Sequence, residues 1–352
     1  MMPILYSWVA WESGERTGNG KGILTDALSC TVTEEINGVY ELTMKYALKG
    51  IHGTNIKERD VIVAKPNPTQ RAQPFRIYRV TRPIGGVFTV YARHISYDLD
   101  DIPVKPFKAL AVTNAALEIT KNSVIDNPFT FNAPISDPKS GVLEMTKPST
   151  ARAVLMGEDE SIASAFFTAN QGQYLFDWYN VAVYTRRGAD NGAKIEYGIN
   201  MTKYTKDTNR TEFYNGIYPY CKKNDGTIVT LSDGVLMLTG WSFKKIAVVD
   251  FTQSLKEEER TEENLRTAAQ QYMIDNDFGK YKVSLDVSFV NLKDTAEYAD
   301  IEGLQTISLG DTVEIIYPEY GEPSKDICSK TVYNVLTEKY DSISIGKLRR
   351  GI

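Results

Sequence analysis

The feature that most constrains the fold is a series of short β-branched and aromatic runs separated by turn residues. Near the N-terminus two alternating runs, 31–36 and 39–44, flank Asn37-Gly38. Asn-Gly between such runs is typical of a hairpin with a two-residue type I′ turn, because both central residues need a positive φ. Several short strands at near-regular spacing favour a small barrel or sandwich. We therefore predict a first β-barrel-like domain over 1–100, built from the runs 31–36, 39–44, 61–64, 74–80 and 87–92.

The sequence changes character after residue 104. Ala109 to Lys121 has apolar residues at helical spacing, and Ser161 is a good N-cap for a helix within 149–168. A strand-like segment at 173–186 then runs into a turn-forming segment at 187–192. This mixture predicts an α+β middle domain over 101–194.

Strand patterns return after residue 194, and one clear helix interrupts them. Ser254 can cap a helix from Leu255 to about Asn276, and glutamates in its N-terminal part complement the helix dipole. We predict a second β-barrel-like domain over 195–352 with a helical insertion at about 251–280. The fold class is α+β, mainly β. The predicted strands of this part are 227–231, 283–289, 312–316, 330–335 and 342–345.

Size and composition agree with several soluble subdomains. A chain of 352 residues exceeds what one hydrophobic core usually supports. Its 21 tyrosines suit half-buried strands and interfaces, since the ring packs while the hydroxyl stays in water. A net charge of −5 disfavours general nucleic-acid binding, which needs clustered Lys and Arg. The first residues contain no signal peptide pattern, and no segment predicts a membrane span.

Residues able to do catalysis are scarce and scattered. The chain has two histidines, His52 and His94, and neither has metal-ligand spacing. Three widely separated cysteines predict no disulfide framework, and we interpret Cys30, Cys221 and Cys328 as reduced core residues. We predict no catalytic, cofactor-binding or metal-binding residue.

Three short patterns have a functional and a simpler interpretation. Residues 18–22 partly match a phosphate loop, but Glu15 replaces its first glycine and Gly22 follows the lysine, so a turn is favoured. Asp98 to Asp101 lacks the calcium-loop pattern and is interpreted as a solvated loop. The glutamate run 257–263 could face a basic partner, but a solvated helix face is the simpler interpretation.

A series of stretches along the chain resembles the N-terminal region of phage minor structural proteins, the prophage tail endopeptidase or tail-associated lysin family. No single stretch is diagnostic, but their order along the chain follows the family. The stretches are 28–42, 73–80 with 92–99, 187–200, 308–313, 332–336 and 343–346.

This resemblance implies the fold of contractile-tail phage hubs, with two similar β-barrels and two smaller domains, and three subunits closing a ring. Many relatives continue into a domain that cleaves peptidoglycan or binds the host surface. This chain ends soon after 347–350, so we expect that activity to be absent here.

The expected function is therefore that of a non-enzymatic baseplate hub at the virion tail tip, made in the bacterial host cytoplasm. The implied partners are two further copies in a homotrimer, the distal tail protein, the tape-measure protein and receptor-binding baseplate proteins. DNA would pass through the channel without specific binding. Two alternatives remain, namely a tail-associated peptidoglycan hydrolase whose catalytic groups were not recognised, and a carbohydrate-binding baseplate module.

Overall fold

The computed structural model describes residues 1–16, 18–136, 138, 140–167, 172–209, 213–280, 282–290, 306–320 and 324–346. The predicted mainly β character with few helices is confirmed. The chain end at 347–352, and Thr168 at the end of a predicted helix, lie outside the described residues.

The N-terminal part forms strands whose side chains alternate between core and surface. In β3 from Cys30 onwards, and throughout β4, every second residue is buried, which is the period of a half-buried strand. Its elements are β1 (Ile4–Tyr6), α1 (Trp8–Glu12), β2 (Gly22–Ile23), β3 (Ala27–Glu35), β4 (Tyr40–Ala47), β5 (Val61–Ala64), β6 (Gln73–Thr81) and β7 (Val87–His94).

The predicted hairpin at Asn37 is present, but its loop is longer than a two-residue turn. Glu34 pairs with Tyr40, and the Glu35 N–H donates to the Val39 carbonyl at 2.7 Å. Asn37 has a φ of +52°, as an Asn at such a turn can adopt. Its side chain bonds the Gly172 carbonyl and the Tyr174 N–H, so tertiary contacts also shape this loop.

The middle part combines short helices with small sheets. The Ser161 N-cap prediction is confirmed, since its Oγ accepts from the Ser164 N–H at 3.0 Å in a capping box. After a 3₁₀ helix (Ile95–Asp101) the elements are β8 (Pro103–Val104), β9 (Lys108–Ala109), α2 (Val112–Asn122), β10 (Thr130–Asn132), β11 (Leu143–Glu144), β12 (Ser149–Thr150), α3 (Ala151–Met156), α4 (Ile162–Phe166), β13 (Gln173–Asp177), β14 (Asn180–Tyr184) and β15 (Ala193–Glu196).

The last part is again strand-rich and contains the longest described helix. Its elements are β16 (Met201–Asn209), β17 (Gly216–Lys222), β18 (Ile228–Thr230), β19 (Leu236–Met237), β20 (Ile246–Asp250), α5 (Glu262–Asp275), β21 (Lys282–Phe289), β22 (Thr312–Ile316), β23 (Ser324–Asn334) and β24 (Lys339–Gly346).

Helix α5 begins later than the sequence predicted. Its N-cap is Thr261, whose Oγ1 accepts from the Asn264 N–H, and not Ser254. The preceding glutamates at 257–259 form a 3₁₀ turn instead. Arg260 holds that turn by donating to the backbone carbonyls of Leu255 and Thr252, and the Leu255 carbonyl is one that a helix starting there would use.

The strands from both ends of the chain form one 13-stranded sheet. β3 pairs with β4 on one side and with β23 on the other, where Thr33 lies opposite Val332. The strand order runs from β16 at one end to β2 at the other, so no closed barrel is found among the described strands, in contrast to the two that the sequence predicted. The domain boundaries at 100 and 194 stay a prediction.

Four hydrophobic cores lie under these sheets among the described residues, and the smallest of them surrounds Trp11. The largest joins the N-terminal strands to the middle helices, from Leu42 and Phe75 to Val154 and Phe166. A second lies among the C-terminal strands, with Val287 and Ile343 fully buried. The third lies between α5 and the sheet of β17, β18, β19 and β20. We call residues 213–280 the insert.

Candidate functional site

The two histidines lie in separate parts of the N-terminal strands and have different surroundings. His94 is fully buried, its Nδ1 accepts from the Ser96 N–H at 3.1 Å, and its Nε2 lies 3.2 Å from Gln73 Oε1. Its ring stacks on Tyr40 at 4.4 Å. Burial lowers the pKa of His94 to about 3, so the imidazole is neutral near pH 7. It is a structural core residue.

His52 fills space beside a glycine. A Cβ added at Gly22, whose φ is +145°, would lie 2.3 Å from Nε2 of His52. The ring therefore occupies the volume that a side chain at position 22 would need. Nothing in this packing resembles a metal site or a catalytic pair.

All three cysteines are buried, reduced and separate, as predicted from their spacing. Cys30 lies in the largest core, Cys221 in the core of the insert and Cys328 among the C-terminal strands. Burial raises the pKa of the Cys30 thiol to about 12 and also raises that of Cys328. Because the thiolate is the nucleophile, these thiols are unreactive near neutral pH.

The acidic patterns are held in internal ion pairs. Asp98 lies in the 3₁₀ helix and not in a solvated loop, and Arg76 binds it through Nε at 3.0 Å and Nη2 at 2.7 Å. Burial raises the Asp98 pKa, with Arg76 acting in the opposite direction. Within the described ranges no group of three or more His, Cys, Asp or Glu side chains could hold a metal ion.

Of the other two patterns, residues 18–22 follow the simpler interpretation, whereas the glutamate run lies on a helix only from Glu262 onwards, because 257–259 form a 3₁₀ turn. Residues 18–22 form a turn leading into β2, and Lys21 pairs with the buried Asp60 at 2.7 Å instead of facing a phosphate. In the glutamate run, Glu257 pairs with Arg260, and Glu262 accepts from the Ser232 hydroxyl at 2.7 Å. These glutamates are satisfied within the insert.

A buried ion pair and a strained turn fix the middle part against the N-terminal strands. Arg187 Nη1 lies 2.7 Å from Glu34 Oε1, with the two side chains 9% and 2% exposed.

The turn between β13 and β14 forms the second contact between the middle part and the N-terminal strands. Its Trp178 donates from Nε1 to the Ala72 carbonyl at 2.8 Å and stacks on Trp11. The sequence interpretation had treated 173–186 as one strand. Asp177 and Asn180, two common turn residues, were the available signal for this hairpin.

The insert exposes an apolar sheet surface that the sequence analysis missed. Helix α5 covers one face of its sheet through Leu265, Ala269 and Met273. On the other face Tyr218 and Val248 are neighbours on paired strands, and Val248 is 68% exposed. We call the exposed side chains Tyr218, Ile228, Ile246 and Val248 the uncovered sheet face. The run Ile246-Ala247-Val248-Val249, apolar on both faces of β20, was the available signal.

The end strands of the large sheet and the lengths of the helices are two further features of the described chain. Strand β16 and strand β2 lie at the two ends of the described strand order of the large sheet. Across the described ranges, no helix has the length and apolar character needed to cross a membrane.

Comparisons with known proteins show similarity to prophage tail proteins. Residues 189–352 match the family described as Prophage endopeptidase tail. The resemblance to prophage tail proteins predicted from the sequence is confirmed. No curated protein matches the chain.

Three solved structures share the fold over nearly the whole chain. Prophage tail protein gp18 from Listeria monocytogenes EGD-e has a TM-score of 0.60 at 15% identity, covering 100% of this chain and 96% of its own. The 43 kDa tail protein of prophage MuSo2 from Shewanella oneidensis has a TM-score of 0.60 at 13% identity, with coverages of 99% and 98%. A tail protein from Neisseria meningitidis MC58 has a TM-score of 0.60 at 9% identity, with coverages of 98% and 96%.

Proposed function

From a fold that the full chain shares with prophage tail proteins, and from the match of residues 189–352 to the prophage endopeptidase tail family, we propose that this protein is a structural hub of a phage tail tip. It would close the tail tube, support host attachment and let DNA pass. The full-length fold match is the observation that carries this proposal, because a lone enzymatic domain would cover only part of such a protein.

The chemistry of the described side chains supports a role without catalysis. His94 is buried and neutral, the thiols are buried, and Asp98 is held by Arg76. A hydrolase needs a nucleophile or a bound water beside a base of suitable pKa, and these groups do not form such a set. The family's description mentions an endopeptidase, so this point has its own experiment.

That experiment incubates the purified chain with cell-wall peptidoglycan and follows the release of soluble fragments. We expect no release above the buffer control. Turnover that is abolished by His94→Gln or by Asp98→Asn, in variants that still fold, would make the protein a tail-associated hydrolase instead.

We further propose a homotrimeric ring, located at the tail tip and assembled in the host cytoplasm. Closed cyclic symmetry lets identical chains bury surface without growing into fibres. The uncovered sheet face supplies surface for such contacts. Its neighbours would be the distal tail protein, the tape-measure protein and receptor-binding baseplate proteins.

Electron microscopy of intact particles tests the position and copy number. Antibody-coupled gold should label the tail tip, and a reconstruction of the tip should contain three copies. Label along the tail shaft or on the capsid, or a ring of two, four or six copies, would contradict the hub proposal.

DNA passage without specific binding is the last part of the proposal. A net charge of −5 disfavours a lining that holds phosphate by counterion release. In a mobility-shift assay at low and at physiological salt, we expect no complex with duplex DNA. A tight, salt-sensitive complex would contradict a passive channel.

A further inference from the structure

Three polar side chains lie next to one another on the core face of the large sheet. Thr331 on β23 is the register partner of Glu34 on β3, and Glu34 is the register partner of Tyr40 on β4. Directly paired residues of antiparallel strands point to the same face, so these side chains form one row across three strands. Their exposures are only 1% for Thr331 and 2% for each of the other two. We call these three residues the polar row.

Each side chain of the polar row keeps one polar atom without a hydrogen-bond partner among the described residues. The atoms are Glu34 Oε2, Tyr40 Oη and Thr331 Oγ1. A buried polar atom left unpaired costs the full desolvation penalty of its group, and folded proteins therefore pair nearly all of them. Three such atoms at adjacent positions of one row indicate a partner that they share.

The side chains of the polar row are held in place, so rotation of one onto another does not supply that partner. The Tyr40 ring stacks on His94 with the ring centres 4.4 Å apart, and it meets Phe75 edge to face at 5.4 Å. Glu34 is fixed through its other oxygen, Oε1, which accepts from Arg187 Nη1 at 2.7 Å. A small ligand between these fixed groups can satisfy all three oxygens.

The chemistry of the polar row favours water over a metal ion. The carboxylate oxygen only accepts hydrogen bonds, whereas hydroxyls both donate and accept. Burial, together with the nearby Glu34 carboxylate, raises the pKa of Tyr40 well above its ordinary value, so its hydroxyl is protonated and can donate. Calcium and magnesium take six or more oxygen ligands, and Arg187 already balances the charge of the carboxylate.

We propose that the polar row binds one internal water molecule. The water donates to Glu34 Oε2, accepts from the Tyr40 hydroxyl and makes a third hydrogen bond with the Thr331 hydroxyl. About three bonds to otherwise unpaired groups is the usual number for a buried water. Because β23 comes from the end of the chain and β3 and β4 come from its beginning, the water links the two ends inside the large sheet.

A crystal structure of the purified full-length chain, at a resolution that shows ordered water, tests the site directly. We expect one peak of electron density within hydrogen-bond distance of Glu34 Oε2, Tyr40 Oη and Thr331 Oγ1. Absence of such a peak, or a peak with six oxygen neighbours as a metal ion would have, would overturn the proposal. The isolated chain is sufficient for this measurement, so its outcome is independent of the hub proposal.

A double-mutant cycle tests the shared water in solution. Tyr40→Phe and Thr331→Val each remove one hydroxyl and nearly keep the shape of the side chain. The two residues lie two strands apart, about 9–10 Å, and at such a separation independent effects on the unfolding constant multiply to within about twofold. Because one water joins them, we expect the effect of the double variant to fall short of that product by about threefold or more.

The matched control is the neighbouring row, in which Val32 lies between Tyr333 and Leu42 with the same register spacing. Tyr333→Phe and Leu42→Val change side chains that flank an apolar residue instead of a carboxylate, so their effects should multiply. Urea unfolding measures the constants in both cycles. Effects that also multiply in the polar row, or an equal shortfall in the control row, would contradict a shared water.

Discussion

The outward-facing residues of the N-terminal sheet differ from those of the insert. Along β4 the positions between buried core residues are Glu41, Thr43 and Lys45, all of which are polar or charged. Along β20 the corresponding positions include Ile246 and Val248, which water contacts directly. Both sheets bury one apolar face, but the insert carries apolar side chains on its second face as well, and none of the described residues covers Val248 there.

This difference separates two uses of hydrophobic surface. Along β4 the apolar side chains face the core, and the nearby buried Glu34 carboxylate pairs with Arg187. In the insert, some apolar groups remain available to other molecules. Exposed contiguous apolar surface on a folded protein usually marks an interaction site. The following experiments separate the two regions, from the largest expected effect to the smallest.

The buried ion pair should give the largest effect. Arg187→Ala leaves the Glu34 carboxylate without its partner at 2% exposure, and we expect a loss of about 3–5 kcal/mol in unfolding free energy. The matched variant in the insert is Arg266→Ala, which breaks an exposed pair with Asp233. It should cost less than about 1 kcal/mol. Urea unfolding measures both, and equal losses would erase the predicted contrast.

Removing a large side chain from the core of the insert should unfold the insert locally. Leu265 is fully buried under the insert sheet, so Leu265→Ala should destabilise by about 2–5 kcal/mol. Ile274→Ala on the same helix, at a side chain 70% exposed, should change stability by less than about 0.5 kcal/mol.

Hydrogen exchange identifies where the Leu265 variant opens. Because the insert has its own core, we expect lost protection in β17 and α5 while β3 and β4 keep theirs. Lost protection in all four elements would mean that the insert and the large sheet unfold as one unit.

Acid should destabilise the N-terminal part more than the insert. The pKa of His94 is about 3 in the fold against 6.5 for the ordinary group, so the unfolded chain binds its proton first. The contribution of neutral His94 to the free energy of unfolding is fully present above about pH 6.5 and is lost as pH falls towards 3. The loss is about 1.4 kcal/mol for each pH unit in that window.

His94→Gln tests this assignment. We expect the variant to be less stable at neutral pH but to lose less on acidification, as measured by urea unfolding over the same pH range. The insert contains no histidine, so its hydrogen-exchange protection should lack this step. An unchanged acid profile in His94→Gln would assign the sensitivity to carboxylates instead.

A substitution in the uncovered sheet face should give the smallest change in unfolding free energy, but it should weaken self-association. Val248→Ser removes an exposed apolar side chain, so the unfolding free energy should shift by less than about 0.5 kcal/mol. Concentration-dependent light scattering should show weaker self-association. Thr43→Ser on the outward side of β4 is the control and should alter neither quantity.

The sequence predicted strands where alternation was strong and local. Strand β22 was predicted with its observed bounds, and the hairpin of β3 and β4 followed from Asn37-Gly38. Strand pairing between distant segments has no local signal, because it depends on which faces meet in three dimensions. The pairing of β3 with β23 therefore could not be predicted from composition or period.

Helix starts and the features of the site were less predictable. Ser254 and Thr261 are both plausible caps, and the choice was decided by Arg260, whose contacts are tertiary. The Trp178 turn lacks glycine, so its local signal was limited to the flanking Asp177 and Asn180. Its conformation depends on Ala72, Gln73 and Trp11, which are more than 100 residues away in the chain.

The central position of β23 also constrains how the protein is made. Strand β3 is synthesised early, yet the edge that it presents to β23 stays open until residues 330–334 have left the ribosome. Such long-range pairing slows folding, since loop-closure entropy must be overcome before the contacts form. Until then an alternating strand edge is available to other nascent chains. Expression of C-terminally truncated forms should therefore yield aggregates instead of a folded N-terminal sheet.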